Sequence, residues 1–424
     1  MSQTKKKFVG FGFGPIQSGL FLFEAYRSGN FDRFTVAEVD QSLVDALRLA
    51  GGKYTVNVAR PDVIDKFELS GIEMLNPADP AGNADLCRAI AEADEIAVCL
   101  PSVEFYDRGG VNSVARTIAR GLQLRDQARP TLIYAAENNN HAAEILTETL
   151  GKYAPAEIMQ QTQVLNTVIG KMSGVIADEP TIGRMNLTTI TDTIPRAILV
   201  EEFNRILVSE VTLPGTAKGI DVFAEKPDLL PFEEAKLYGH NAIHALMGYL
   251  ADRKGLDVMA EVGDDEEILA LGRKAFLDES GAALIRKHAD LGDPLFTPEG
   301  YREYAEDLLE RMVCPNLNDL VARVTRDHVR KLGWDDRLFG TMRVALVQGV
   351  EPKTMAIGAA AGVTSMIRRR DELNQPLPAL PENESELTRE NLAATLETIW
   401  GDQADGDTAR KLIDMTFEAL DRLR

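Results

Sequence analysis

Glu233, Lys236, Asn241 and His244 lie on a stretch, Glu233–His244, that reads as helix. At roughly 100° per residue the four fall within about 140° of one another, so they share a face. Four polar groups on one face of an otherwise apolar helix are costly to bury unless they act together. A lysine can take the proton of an alcohol if its amine is neutral, and burial or nearby positive charge lowers its pKa toward that state. Lys236 is the candidate base. The alkoxide that develops needs donors, and the Asn241 amide is one. The plainer reading of the same pattern is a solvated polar stripe.

An alcohol that loses a proton must also lose a hydride, and a second motif offers a place for the acceptor. Gly12-Phe13-Gly14-Pro15-Ile16-Gln17-Ser18-Gly19 follows a short apolar strand, Phe8–Gly12, and opens a helix expected over about Ile16–Ser28. Glycines at such a turn let the backbone approach a pyrophosphate that rests on the helix N-terminus. Gln17 stands where the usual third glycine would be, so this motif is weaker than the helix face. Glu38 closes the next strand, where a carboxylate accepts hydrogen bonds from ribose hydroxyls. Val39, Asp40 and Gln41 follow it. No cation stands there for a 2′-phosphate, which favours NAD over NADP. Gly12, Gly14, Pro15, Ile16, Gln17 and Glu38 are therefore the candidate cofactor residues.

The elements that must position these residues follow an alternating rhythm. Phe34–Val39, Ile96–Leu100 and Thr131–Ala135 read as strands, separated by the helical stretches Ser42–Ala50, Val111–Leu122 and His141–Leu150. Strands alternating with helices indicate a parallel sheet. Lys53–Val58 is an extended piece set into that rhythm, and strand-like segments continue through Leu187–Ile190 and Ala197–Val200. From about Pro231 the pattern turns helical, with helices expected over Glu233–Ala251, Asp265–His288, Pro298–Met312 and Gly340–Gly349. Three prolines between Asn374 and Glu386 mark a linker, followed by a last helical pair ending at Arg424. The expected organisation is an α/β nucleotide-binding domain of the Rossmann type over 1–200 and a mainly helical catalytic domain over 201–424, with the linker 374–386 inside it.

Composition excludes several function classes. The chain has 424 residues and a formal net charge of −20, which argues against a nucleic-acid surface. No apolar run approaches the length of a membrane span, and no secretory leader is legible behind the basic N-terminus. The three cysteines and five histidines form no metal-ligand spacing, so no metal is expected. Cys99 reads as a small core residue. A cytoplasmic enzyme, monomeric or homodimeric, acting on a small molecule fits these bounds.

The run Lys236–Ala251 (KLYGHNAIHALMGYLA) resembles the long-chain polyol-specific dehydrogenases, whose signature is Lys-x4-Asn-x2-His. It is most similar to their mannitol-1-phosphate branch. Gly12–Gly19, Val36–Asp40, Ala136–Asn138, Val200–Phe203, Glu279–Ile285 and Cys314–Leu338 resemble that branch too, in order along the chain to about residue 362. The resemblance implies a metal-independent, NAD-dependent exchange of a sugar alcohol, or a polyol phosphate such as mannitol 1-phosphate, with its ketose. It implies that Lys236 is the general acid/base and that Asn241 and Asn166 hold the alkoxide oxygen. It further implies that His244 orients substrate hydroxyls, that Glu233 links the lysine to solvent, and that Asn138 lies at the cofactor. By spacing, Arg323 and Lys331 match two substrate-binding cations, with Arg326, Arg330 and Arg337 around them. Five cations between Arg323 and Arg337 in so acidic a chain suit a phosphate or carboxylate, and Arg330 joins the substrate-binding set.

Two positions depart from the family pattern: Gln17, and Gly170-Lys171 where relatives carry an acid. The segment after about 370 has no counterpart in the resemblance. A hexuronate reductase acting on fructuronate or tagaturonate is the alternative enzyme, its substrate carboxylate taking the basic cluster. A non-catalytic NAD-binding sensor is a further alternative, against which the complete Lys236, Asn241 and His244 set argues.

Overall fold

The computed structural model describes residues 5–125, 129–202, 205–404 and 406–423. Met1–Thr4, Phe203 of the Val200–Phe203 motif and Arg424 at the end of the last helix lie outside the described residues. The chain divides into two compact units, Met1–Leu230 and Pro231–Arg424.

The first unit holds twelve strands: β1 (Lys6–Phe11), β2 (Phe31–Ala37), β3 (Tyr54–Ala59), β4 (Ile64–Leu69), β5 (Ile72–Leu75), β6 (Glu95–Val98), β7 (Thr131–Ala135), β8 (Thr162–Val168), β9 (Ser173–Ile176), β10 (Ala197–Glu201), β11 (Ile206–Ser209) and β12 (Phe223–Lys226). Eight make one sheet in the order β12-β11-β8-β7-β6-β1-β2-β5. From β8 to β5 every pairing is parallel. β11 runs antiparallel to β8, and β12 parallel to β11. The chain fills one side of β1 with β2 and β5, then crosses back to β6. The order of the six parallel strands is that of a doubly wound dinucleotide fold, whose ligand crevice opens where the order reverses, between β1 and β6.

Alternation within the strands explains why both faces are covered. Phe8 and Val9 of β1 point to opposite sides. Phe8 joins Leu20, Phe21, Tyr134 and Phe223 in one core. Val9 joins Ile96 and Ile133, packed against Leu86, Ile118 and Leu146 from the helices Pro80–Glu92, Val114–Gln123 and Ala142–Gly151. The extended insert at Lys53–Val58 becomes β3, which belongs to a second sheet in the order β4-β3-β10-β9. The strand expected at Leu187–Ile190 does not form. Instead the buried Asn57 amide accepts from Thr188 N at 2.9 Å and donates to Thr188 O at 2.8 Å, taking the place of a ladder partner. The division between units falls after Leu230 rather than at 200, because β11 and β12 pair into the first sheet.

One buried acid in this unit leads to a stability test. Glu24, on the helix Leu22–Ser28, is only 4% exposed and lies 3.3 Å from Arg27. Burial pushes its carboxyl up to about 7, with Arg27 opposing the shift and Glu202 and Asp221 adding to it. A carboxyl whose folded pKa lies above its unfolded value makes the fold lose stability as pH rises between the two, with no further loss above the folded value. Glu24→Gln should therefore melt at the same temperature as the parent near pH 4 and roughly 2–8 °C higher at pH 8. Melting curves at the two pH values check this; a gain of equal size at both would remove titration as the cause.

The second unit is helical. Its centre is the helix Lys353–Arg368, in which thirteen of sixteen residues are buried. A helix covered on nearly every side carries no amphipathic period, which is why no helix was expected there. It packs against the helix that carries Lys236: a side chain at Gly358 would meet Leu246 Cγ at 2.8 Å. Glu279, buried on a neighbouring helix, accepts from Thr354 N at 2.7 Å and Met355 N at 2.8 Å, and so satisfies the otherwise unpaired donors at the start of that central helix. The proline-bearing stretch 374–383 is irregular, followed by a short turn of 3₁₀ helix at Glu384–Glu386 and the helices Arg389–Trp400 and Gly406–Ala419.

Candidate active site

In the first unit the nucleotide motif sits at the carboxyl ends of β1 and β2. Gly12 has φ of +82°, and a Cβ there would lie 2.7 Å from the carbonyl oxygen of Cys99, at the end of β6. Only glycine meets both conditions without strain. A side chain at Gly14 would meet nothing within 4 Å, so this part of the turn faces open space just before the helix that includes Pro15 and Ile16. Glu38 braces the turn from β2. One carboxylate oxygen accepts from Phe13 N at 2.8 Å, the other from Val39 N at 2.7 Å and Asp40 N at 2.9 Å. A carboxylate has about four acceptor positions, so one remains for a ribose hydroxyl.

Gln17 departs from its expected role. It is fully buried, and its amide occupies the space a side chain on Gly10 of β1 would need. It therefore belongs to the packing under the helix, and neither its Nε2 nor its Oε1 has a hydrogen-bond partner among the described residues. Asn138 is exposed after β7, whereas its neighbour Glu137 is buried. Glu137 accepts from Leu100 N at 2.8 Å and from the Tyr106 hydroxyl, tying the ends of β6 and β7 together, and burial holds its carboxyl above the usual range. Asn166 on β8 is engaged within the unit: Oδ1 accepts from Ala143 N at 2.8 Å and Nδ2 donates to Glu144 at 2.9 Å. One amide hydrogen of Asn166 is thus spent on the first turn of the helix Ala142–Gly151.

In the second unit the helix bearing Lys236 is not uniformly α. It is α over Leu230–Glu234, π over Ala235–Asn241 and α again over Ala242–Lys254. This changes the angular argument. Five residues in an α-helix separate Lys236 from Asn241 by about 140°. Bonding from i to i+5 brings residues five apart roughly into line instead. The Lys-x4-Asn spacing is therefore a π-helix spacing, and His244 follows one α-turn later. The widened turn also frees the Tyr238 carbonyl, which accepts from Ser280 Oγ at 2.8 Å and Thr341 Oγ1 at 3.1 Å. Ser280 itself lies on a second π segment, Ala275–Gly281.

Electrostatics around the lysine favour its neutral form. Burial is the main cause of its lowered pKa, Glu233 three residues back opposes it, and Arg337 adds to it. His240 is pushed well below the usual imidazole range by burial and by His244, Arg311, Lys236 and Arg337, so it is neutral beside the lysine. The Asn241 amide makes no hydrogen bond among the described residues and is available as a donor. The His244 ring lies 6.0 Å from that of His240, centroid to centroid.

The basic run is more self-balanced than its sequence suggests. Arg323 Nε donates to Asp319 Oδ1 at 2.7 Å, Arg330 reaches Asp336 at 3.2 Å and Asp327 at 3.4 Å, and Arg337 Nε donates to Asp336 Oδ1 at 2.7 Å. Acids three or four residues before Arg330 and Arg323 on short helices account for two of these pairs. Lys331 is different. It is 3% exposed, donates to the Val324 carbonyl, and has no ion pair among the described residues. Burial, with Arg337 and Arg330, pushes its ammonium down to about 7. Asp319 is the residue that sequence reasoning missed. It is buried, and its Oδ2 lies 3.0 Å from His244 Nε2. Its signal in the sequence was an acid four residues before Arg323, inside the run Cys314–Leu338.

Residues 228–421 match the family model described as Mannitol dehydrogenase C-terminal domain, which extends across the segment after 370 that the sequence reading left unplaced. The mannitol-1-phosphate 5-dehydrogenase of Shouchella clausii is 28% identical over 353 residues, covering 82% of this chain and 86% of that protein. That of Exiguobacterium sibiricum is 26% identical over 416 residues, covering 98% of each. Among solved structures, Pseudomonas fluorescens mannitol 2-dehydrogenase in ternary complex with NAD and D-mannitol aligns with a TM-score of 0.69 at 16% identity, over 100% of this chain and 92% of the other. A substrate-free D-sorbitol dehydrogenase aligns at 0.73 and 14% identity, over 97% and 92%.

Proposed function

The second unit is a mannitol dehydrogenase C-terminal domain, and from that premise we propose that the chain is an NAD-dependent dehydrogenase interconverting a sugar alcohol phosphate, such as mannitol 1-phosphate, with its ketose phosphate. The observation that carries the reading is Lys236, its pKa lowered by burial, on a π turn that aligns it with the free amide of Asn241. In the oxidation direction the neutral Lys236 amine takes the hydroxyl proton, and Asn241 donates to the oxygen as negative charge develops. His244 orients the neighbouring hydroxyls. Glu233, one α-turn before the lysine, returns the proton to solvent.

The first unit's turn fits NAD: Gly12–Ile16 offer an open backbone approach and Glu38 a remaining acceptor position. Bound NAD supplies the hydride acceptor. The curated relatives carry the name of a phosphate substrate, and Lys331, a buried ammonium facing only a carbonyl, supports an anionic group beside it. The hexuronate reading draws on the same observation, since a carboxylate would meet Lys331 as well.

The test is an assay of NAD reduction or NADH oxidation with mannitol 1-phosphate, mannitol, fructuronate and tagaturonate. The phosphate ester should exceed mannitol in kcat/KM by about 10–100-fold, the range of a charge-assisted hydrogen bond. Lys331 carries its charge in the folded protein only below its lowered pKa of about 7. The KM for the phosphate ester should therefore rise as pH passes upward through 7, while that for mannitol stays flat. A preference for the hexuronates would transfer the assignment to them, and absence of turnover on all four would end it.

A further inference from the structure

Asp319 spans two of the groups assigned above to the substrate. Its Oδ1 takes both Nε and Nη2 of Arg323, each at 2.7 Å, and its Oδ2 lies 3.0 Å from His244 Nε2. The backbone around it is held from outside the site. Asn318 before it has φ of +48°, Met259 N donates to the Asp319 carbonyl at 2.8 Å, Val321 N donates to Asp257 O at 2.9 Å, and Val258 bridges Leu320. A buried carboxylate is costly without partners, yet contacts with His244 and Arg323 outweigh the burial and leave this one below the usual carboxylate range.

We propose that Asp319 is the positioning residue of this site: it fixes the ring and tautomer of His244 and the direction of the Arg323 guanidinium through one carboxylate. With a proton on Nε2 facing Asp319, His244 turns Nδ1 toward the substrate as an acceptor for a hydroxyl proton. The Nε2–Oδ2 contact is short but off the axis of a well-formed hydrogen bond. Such contacts commonly tighten when the partner atom is loaded by substrate. The inference rests on the dehydrogenase reading for its kinetic part, but its tautomer part does not.

Two measurements test it. The chain has five histidines, His141, His240, His244, His288 and His328, so ¹⁵N-histidine spectra of the full chain are tractable, with His244→Asn assigning the signal. In the parent at pH 9, His244 should carry its proton on Nε2 or remain doubly protonated; a proton on Nδ1 alone overturns the proposal without any variant. In Asp319→Asn, shown to be folded by its melting curve, the His244 signal should shift and the KM for the sugar substrate rise about 10–100-fold. In the same variant NADH affinity should be unchanged and kcat held within about fivefold, with Asp319→Glu recovering part of the loss. A folded Asp319→Asn with unchanged KM and unchanged His244 signal would overturn it. Failure of the parent to turn over any sugar would count against the dehydrogenase reading alone, since the tautomer remains measurable.

Discussion

Lys236→Ala is expected to lower turnover by about 10²–10⁴-fold, the range assigned to a lost general base, while NADH affinity stays near that of the parent. The cofactor turn is built wholly from the first unit, around Gly12, Gly14 and Glu38, and contains nothing from the helix that carries the lysine. The loss should therefore appear in kcat and kcat/KM together, as for an interaction made in the transition state. Lys236→Arg should be no better than alanine: a guanidinium keeps the charge but holds its proton at every working pH. In the parent, kcat/KM should rise with pH through a pKa below that of free lysine, because burial and Arg337 favour the neutral amine. Steady-state rates and a fluorescence titration of NADH separate the two quantities. Normal turnover in Lys236→Ala would dismiss it as the base.

The second large effect belongs to the other unit. Gly12→Val should abolish measurable NADH binding while far-UV circular dichroism remains close to that of the parent. A left-handed backbone costs a residue with a Cβ about 1–2 kcal/mol, and here the added atom must also stand 2.7 Å from the Cys99 carbonyl. Relief requires β1 and β6 to part at the point where the crevice opens, or the turn to abandon the shape that Glu38 braces through Phe13 N. Either movement disturbs the surface presented to a pyrophosphate. Retention of parental NADH affinity in Gly12→Val would show that the ligand does not use this turn.

The parallel sheet was legible because its strands are short apolar runs separated by amphipathic helices, and that rhythm survives without tertiary context. The helix Lys353–Arg368 was not legible, because burial on all sides removes the polar stripe that marks a helix in sequence. The boundary at 200 was misplaced for a related reason. Ile206–Ser209 and Phe223–Lys226 are too short to announce a strand, and only pairing with β8 makes them part of the sheet. Among the site residues, Lys236, Asn241 and His244 could be found from spacing, although the angle assigned to that spacing was that of the wrong helix. Gln17 was grouped with the cofactor by its place in a motif, and the packing of its amide against Gly10 is invisible to a one-dimensional pattern. Asp319 escaped because a single acid beside an arginine has many ordinary explanations, and its value lies in a second contact to a residue 75 positions earlier in the chain.

The π turn at Ala235–Asn241 makes the length of this segment a quantity as strict as any side chain in it. A π turn is an α-helix that has accommodated one extra residue. Losing one residue between Lys236 and Asn241 would let the segment relax to plain α-helix, rotating all that follows by about 100°. Every chemical group would still be present, and His244 would face away from Asp319. In such a segment a substitution trades one side chain for another, whereas an insertion or deletion re-aims the whole remainder of the helix. Drift in this enzyme is therefore free to exchange letters here long before it is free to change their number.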